Sequence, residues 1–523
     1  MNQFTSRFAP HIAAVLTGLD RFFVTGVIRH LCCPRGMDMY LRDTGILIKD
    51  FGQHVIELSE QVKQASIKRL EAQGAGYHYF PSCNVSKEEF ARRIARENNI
   101  REGHICAIGC VESCKSFNVR GNRETRHIEV VARERRCMHI YSYRYHPVFG
   151  WMNIRLQTWF PFRIQICMNG REWLARQLDQ AGIAYEKADN CFTWIEDFAR
   201  AQALMREQLS TDWPTLLSSL IPDIHPMHPT IVERCHADYY WSCRQSEVAR
   251  DVVFSDRKVL EPLVANLLQH GITTLKSPDV LRFLGRTATN AVSHVKGDVN
   301  STLKVRYEGA RIKHWNNGNS VKMYDKAASE RGAVLRFEMT LNNEESFKVF
   351  RAKEGGPAHE LDYRVLRRGM ADFEARAKVS EQALDRYMNA LASAANDQRL
   401  SNLLSKITNS TVYKEKPVRA LRPFAAEDMK LLETVSRGEY TIEGLRNRDL
   451  QKHFYPEAPK TTEEARRRSG WATRKLRLLC AHKLICKTKG SNRYHITDEG
   501  RQIITALLTA KETPVCNLLR KAA

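Results

Sequence analysis

The stretch EEARRRSGWATRKLRLLCAHKLI (463–485), followed by CKTKGSNRYHIT (486–497), decides how the C-terminal part of the chain is read. Trp471, Leu478, Leu479 and Ile485 recur at spacings that turn one helical stripe toward a core. Thr461 or Thr462 with Glu464 supplies a capping signature at its start. The other faces carry Arg466, Arg467, Arg468, Arg474, Lys475 and Arg477. The second segment abandons that period, and its two short runs around Lys489-Gly490-Ser491-Asn492 predict a pair of strands.

Upstream, AAEDMKLLETVSRG (425–438) is an amphipathic helix with Met429, Leu432 and Val435 on one face and Gly438 as candidate C-cap. IEGLRNRDLQKHFY (442–455), after Thr441, is a second helical stretch, and DEGRQIITALLTA (498–510) closes the series. Helix, helix, long basic helix, two-stranded wing, helix: this order resembles a winged helix-turn-helix domain over 425–510, with 511–523 as a tail. The physics agrees. Arg neutralises phosphate and matches guanine acceptors with its planar fork, so a basic helix is suited to the major groove. Lys487, Lys489 and Arg493 would bring the wing to the backbone or minor groove. The alternatives are that the helix simply presents a solvated face, or that the domain serves protein contacts.

The whole chain has 523 residues, 81 Lys plus Arg against 59 Asp plus Glu, a net charge of +22 and 43% hydrophobic residues. That is enough apolar material for several cores and a balance that favours polyanionic partners. Residues 411–523 hold 24 basic and 13 acidic residues, half of the excess charge. No window of eighteen apolar residues and no secretory leader pattern occurs, so the expectation is a cytoplasmic protein without a membrane partner. The 14 Cys lack disulfide or zinc spacing; Cys106, Cys110 and Cys114 lie four apart. No P-loop occurs, so no nucleotide cofactor is expected, and neither G-x-S-x-G nor H-E-x-x-H is present.

The rest predicts an α+β fold: an N-terminal mixed or antiparallel sheet domain with helical insertions, then the C-terminal winged helix-turn-helix. Strand character opens at Phe22–Ile28; helices are expected at 53–72 and 87–99, with Ser86 as N-cap. HICAIGCVESCKSFNV, HIEVVA, RRCMHIYSYRYHP and GWMNIRLQTWFPFRIQICMNG read as strands. Helices follow in REWLARQLDQAG, TWIEDFARAQALMREQL and SDRKVLEPLVANLLQHG; strands return between 301 and 341, and a helical region runs from 366 to 407. Residues 1–412 are taken as one large domain with an internal boundary near 170–300, and 413–424, with Pro417 and Pro423, as a basic extended linker.

GNSVKMYDKAASERGAVLRFEMTLN (318–342) predicts a hairpin with Lys322 and Tyr324 on one face of its first strand and Arg336 and Glu338 on one face of its second, Asp325 lying at the strand end. A tyrosine nucleophile, cations for phosphate and acids for a divalent metal (Asp325 and Glu338, with Mg2+ or Mn2+) make up a phosphodiester-cleaving set. The Tyr-Asp-Lys strand followed by Leu-Arg-x-Glu resembles a motif of rolling-circle replication initiators of small plasmids and filamentous phages. The match carries over Tyr324, Asp325, Lys326, Arg336 and Glu338. The chain departs from the His-hydrophobic-His metal motif of many such initiators, since no two of its 18 His lie two positions apart. The alternative is an ordinary hairpin in which these residues pack and pair.

HPVFGWMNIRLQTWFPF, NGREWLARQ and CFTWIEDF also give the chain a resemblance to a group of bacterial mobile-element proteins with a C-terminal winged helix, a group without a settled biochemical function. In 137–162, Tyr141, Tyr143 and Tyr145 share a face and, with Arg144 and Arg155, have the composition to stack unpaired bases; an aromatic core is the alternative. Asp20 and Glu112 sit in apolar surroundings as metal ligands or as partners of Arg21 and Lys115. Together these point to a DNA-binding protein, mobile-element or replication associated, acting as a metal-dependent strand-nicking initiator or nuclease. The competing expectation is a non-enzymatic winged-helix transcriptional regulator or structured-RNA-binding protein.

Overall fold

The computed structural model describes residues 3–124, 126–235, 237–285, 299–306, 309–353, 356–357, 359–392, 400–437, 440, 444–488 and 490–513. It is mixed α+β, its sheets mostly antiparallel. The chain divides into two compact units: an inserted unit, residues 16–249 and 367–377, and a flanking unit, residues 1–15, 250–366 and 378–523. Within the expected window of 170–300 the crossing falls at residue 250; further crossings lie at 16, 367 and 378. Among the described residues no helix is long and apolar enough to cross a membrane.

The inserted unit is built on β1 (Ile12–Ile28) from Leu16 onward, β2 (Gly76–Phe80), β3 (Gly103–Gly121), β4 (Ile128–His146), β5 (Gly150–Gln157), β6 (Ile164–Asn169), a hairpin of β7 (Tyr185–Ala188) and β8 (Cys191–Ile195), and β9 (Tyr239–Phe254) as far as Ala249, the end of β9 with Asp251 belonging to the flanking unit. Its main strand order is β9-β1-β6-β5-β4-β3-β2. Phe22, Val24 and Ile28 of β1 are fully buried, while Arg21, Phe23, Thr25 and Val27 alternate onto the other face. Helix α1 (Phe51–Ala72) precedes β2, and α2 (Lys87–Glu97) joins β2 to β3, a crossover that the parallel β2–β3 pairing requires. Ser86 caps α2 as expected, its hydroxyl accepting from the Glu89 amide. The fully buried Arg171 of α3 (Gly170–Ala181) donates to the carbonyls of Leu16 and Ala249, so it ties β1 to β9.

Two sequence expectations change here. HIEVVA and RRCMHIYSYRYHP form one continuous strand, β4, because the polar residues between them sit exposed on its ladder with β3. TWIEDFARAQALMREQL is not helical throughout: Thr193, Trp194 and Ile195 belong to β8, and helix α4 (Phe198–Glu207) starts only after Asp197, whose carboxylate accepts from the Arg200 amide as its cap.

In the flanking unit, α5 (Arg257–Thr273) is followed by β10 (Asn300–Arg306), β11 (Gly309–Asn316), β12 (Asn319–Ala328) and β13 (Ala333–Leu341), antiparallel in that order. One face is apolar. Ile312, Met323 and Phe337 are paired across it and fully buried, with Phe4 edge-on to Phe337 and Tyr387 of α6 (Phe373–Ala392) against Phe337 and His314. Gly271 of α5 permits that approach, since a Cβ there would lie 2.9 Å from Ile312 Cδ1. A hairpin of β14 (Lys348–Ala352) and β15 (Leu361–Val365) follows.

Residues 413–424 are not a free linker. β16 (Thr411–Tyr413) and β17 (Lys416–Val418) turn tightly through Lys414 and Glu415, both at positive φ, and Leu421 is buried in the C-terminal core. The remaining elements are α7 (Ala426–Val435), α8 (Asn447–Phe454), α9 (Thr462–Ala481), β18 (Ile485–Lys487), β19 (Tyr494–Ile496) and α10 (Asp498–Glu512). Met429, Leu432, Val435, Leu450, Leu476, Leu479, Ile485 and Ile503 meet in one core. Thr461 caps α9 by accepting from the Glu464 amide, and the Glu464 carboxylate accepts from the Lys460 amide. Gly438 and Thr441 lie outside the described residues.

Candidate active site and nucleic-acid interface

Opposite the apolar face, the sheet β10–β13 carries a polar one. Antiparallel register lines up Arg311, Tyr324 and Arg336 in one row and Lys313, Lys322 and Glu338 in the next. The expected sharing of a face by Lys322, Tyr324, Arg336 and Glu338 is therefore met, and Arg311 and Lys313 join them. Tyr324 is half-buried, and the Arg311 guanidinium lies 5.6 Å from its ring centroid. Burial, and then the Glu338 carboxylate, hold the Tyr324 hydroxyl above the ordinary tyrosine value, against the opposing pull of Lys322 and Arg311.

The charges around Tyr324 are tightly engaged. Arg336, 1% exposed, forms a bidentate pair with Asp251 of β9, Nε to Oδ1 at 2.6 Å and Nη2 to Oδ2 at 3.0 Å. Lys322 is buried and donates to Glu338. Asp325 parts company with this group. It pairs with Leu335 on the Met323–Phe337 face, the strand bulging only after it, and burial raises its pKa against the opposing pull of Arg257 of α5. Asp325 and Glu338 thus point to opposite faces and do not form the expected two-carboxylate metal site. Lys326 follows at the bulge, half-buried.

Helix α9 divides its six cations. Arg466, Arg467 and Arg474 are exposed. Arg468 pairs with Glu464 at 2.6 Å, donates to the Glu457 carbonyl and lies over Tyr455; Lys475 pairs with Glu427 at 2.9 Å; Arg477 donates to the Tyr413 carbonyl. Those three are held inside the fold, a correction to the expectation of six outward-reaching side chains. Lys487 is exposed, Arg493 stacks on Phe350 at 4.0 Å, and Lys489 lies outside the described residues.

In the inserted unit Tyr141, Tyr143 and Tyr145 do share a face, but Tyr143 is 4% exposed in an apolar cluster with Ala91 and Ala95 of α2. It packs and is closed to base stacking. Tyr141 donates to Glu112, which also accepts from Arg155 at 2.7 Å and pairs with Lys87 at 3.0 Å. Lys87 and Arg155, not Lys115, are therefore the partners of Glu112. Arg144 faces the other way and pairs with Asp223. Asp20 accepts from Asn190 at 2.9 Å, while Arg21 pairs with Glu247.

Arg311, Lys313 and Asp251 were missed from sequence. The first two were legible as the alternation in GARIKHWN, whereas Asp251 becomes visible only through pairing of distant strands. Comparison with protein-family models, curated proteins and solved structures returned no match.

Proposed function

We propose that the chain binds nucleic acid and cuts one strand with Tyr324 as nucleophile. The observation carrying this is a half-buried tyrosine on a sheet face that it shares with four cations, Arg311, Lys313, Lys322 and Arg336, and the carboxylate of Glu338. In the reaction the Tyr324 oxygen gives up its proton and bonds to phosphorus, one phosphorus–sugar oxygen bond breaks, and the departing sugar oxygen takes a proton to become a hydroxyl. No oxidant or reductant is consumed. Because the hydroxyl is hard to ionise, the neighbouring cations serve by stabilising the phenolate and the phosphorane-like charge. A divalent cation, Mg2+ or Mn2+, belongs to this proposal with Glu338 as a ligand and without Asp325.

Binding is supported by the C-terminal elements, whose order resembles that of a winged helix-turn-helix, and by the exposed Arg466, Arg467, Arg474 and Lys487. The resemblance of residues 322–338 to rolling-circle initiators agrees with the same chemistry, whereas that of the whole chain to mobile-element proteins supports the domain plan and supplies no mechanism. The test incubates the full chain with labelled single- and double-stranded DNA and Mg2+ or Mn2+. A covalent protein–DNA band is expected, and Tyr324→Phe removes it while leaving the folded state and noncovalent binding unchanged. Binding without any band in the wild type would leave the second reading, a non-enzymatic regulator; the same experiment with structured RNA separates the nucleic-acid class.

A further inference from the structure

A cavity of about 170 Å3 opens within the inserted unit, far in sequence from Tyr324. It draws on six strands and a turn: Thr25 of β1, Lys115 of β3, His139 of β4, Arg155 and Gln157 of β5, Arg163 of the β5–β6 turn, Gln165 of β6 and Arg244 of β9. The register explains part of the gathering, because Thr25 pairs with Gln165 and Gln165 with Arg155 across adjacent strands. Among the described lining residues Glu134 is the only carboxylate, against four permanent cations.

Three buried donor atoms on these residues have no hydrogen-bond partner: Thr25 Oγ1, Arg155 Nε and Arg163 Nε. Thr25 is only 8% exposed. Arg155 already spends its Nη2 on Glu112 and its Nη1 on Gln165, so Nε is a separate, unanswered donor. A buried donor left without an acceptor costs about 1–3 kcal/mol, and three around one polar cavity call for an acceptor-rich occupant. The local field specifies its sign. The hydrogen bond with Cys137 is the main cause that lowers the Cys114 thiol pKa, and Arg155, Arg163 and Arg135 pull in the same direction. His139 is held at about 4, by burial first and then by Arg155, so it stays neutral and free of a competing proton near neutral pH.

We propose that this cavity is a phosphate subsite, taking one phosphate group of a single nucleic-acid strand. A tetrahedral oxyanion offers acceptors in several directions at once, which suits guanidinium and hydroxyl donors arriving from different strands. The choice of a strand as the source rests on the nucleic-acid reading above; the phosphate chemistry does not.

The experiment uses the full chain, inorganic phosphate and a short oligothymidylate, with binding followed by calorimetry and by competition between the two. Phosphate is expected to displace oligothymidylate, and Lys115→Ala combined with Arg244→Ala, both exposed positions, to weaken both ligands by roughly ten- to hundredfold. Thr25→Val, which keeps the side-chain shape and deletes the donor, should weaken phosphate several-fold. Lys68→Ala combined with Arg206→Ala removes the same charge from other exposed positions and should leave phosphate binding unchanged. Equal loss in the two double variants, or no phosphate binding by the wild type, overturns the subsite. Phosphate binding that the pocket variants abolish, in a protein that binds no oligothymidylate, keeps the phosphate site but overturns the strand as its source, and the nucleic-acid reading then stands or falls on the duplex and structured-RNA tests above.

Discussion

The sheet face around Tyr324 and the helix α9 are both rich in Arg and Lys, yet they keep their charges in opposite ways. On the sheet, Lys322 and Arg336 are buried and each holds an acid, Glu338 or Asp251. On the helix, Arg466, Arg467 and Arg474 stand in solvent while their neighbours Arg468, Lys475 and Arg477 are tied into the fold. Burial makes a cation expensive unless it is paired and hydrogen-bonded, so the sheet face is a fixed, preorganised array. Exposure leaves the helical arginines mobile and screened, which suits counterion release and not the positioning of one reacting atom.

The sharpest way to break this contrast is to remove a buried partner. Arg336→Ala leaves Asp251, fully buried, without its bidentate partner, and the expected loss is about 3–5 kcal/mol in denaturant unfolding. Replacing both, Arg336→Met with Asp251→Leu, should recover most of it, because neither charge then remains uncompensated. A loss below about 1 kcal/mol for the single variant would mean the pair is solvated and the face is not preorganised.

Acid should act on both units through buried imidazoles. His314 in the flanking unit and His139 in the inserted unit are held at about 4, and His225, also in the inserted unit, at about 3, each mainly by burial. A depressed histidine pKa means that the unfolded chain binds more protons between that value and the ordinary one near 6.5. Stability is then complete above 6.5 and falls as pH drops toward 4. For His314 the share is roughly 3 kcal/mol at most, from the 1.36 kcal/mol per unit of pKa difference. Thermal unfolding of wild type and His314→Gln between pH 7 and pH 4 checks it: the variant should show a shallower decline, and parallel curves would remove His314 from the account.

Much of this was legible where one period runs uninterrupted. The stripe of α9, its Thr461 cap, the α2 cap at Ser86 and the alternation of the Tyr324 hairpin all follow from local rules. β9 was not anticipated. Its run through Arg244, Gln245, Glu247, Arg250 and Asp251 looks too polar for an interior strand until partners such as Arg21 for Glu247 and Arg336 for Asp251 are supplied by distant segments. Tyr143 failed for a related reason: alternation told which residues share a face, but not that α2 covers it. The side of the strand taken by Asp325 was foreseeable from its place next to Tyr324; only a bulge between the two would have reversed it, and the bulge comes one residue later. The cavity around Thr25 left no local trace, since its lining residues are drawn from six strands and a turn.

The smallest effects separate the two kinds of cation within α9 itself. If Arg466, Arg467 and Arg474 contact phosphates, each single Ala substitution should weaken duplex binding a few-fold at low salt and lower the slope of log affinity against log salt by about 1. Lys475→Ala and Arg477→Ala should leave that slope unchanged, because their charges are already directed at Glu427 and the Tyr413 carbonyl. Their cost should appear instead in stability, about 1 kcal/mol or less for a part-exposed pair. The two readouts together decide the matter. Slopes that fall equally for all five variants would mean that the helix acts through its summed field, and that the distinction between tied and exposed side chains carries no weight in binding. A split along the structural line, with Arg474→Ala also hurting a preferred sequence more than random duplex, would assign base contact to Arg474 and backbone contact to the others, since only a base-reading side chain discriminates between sequences.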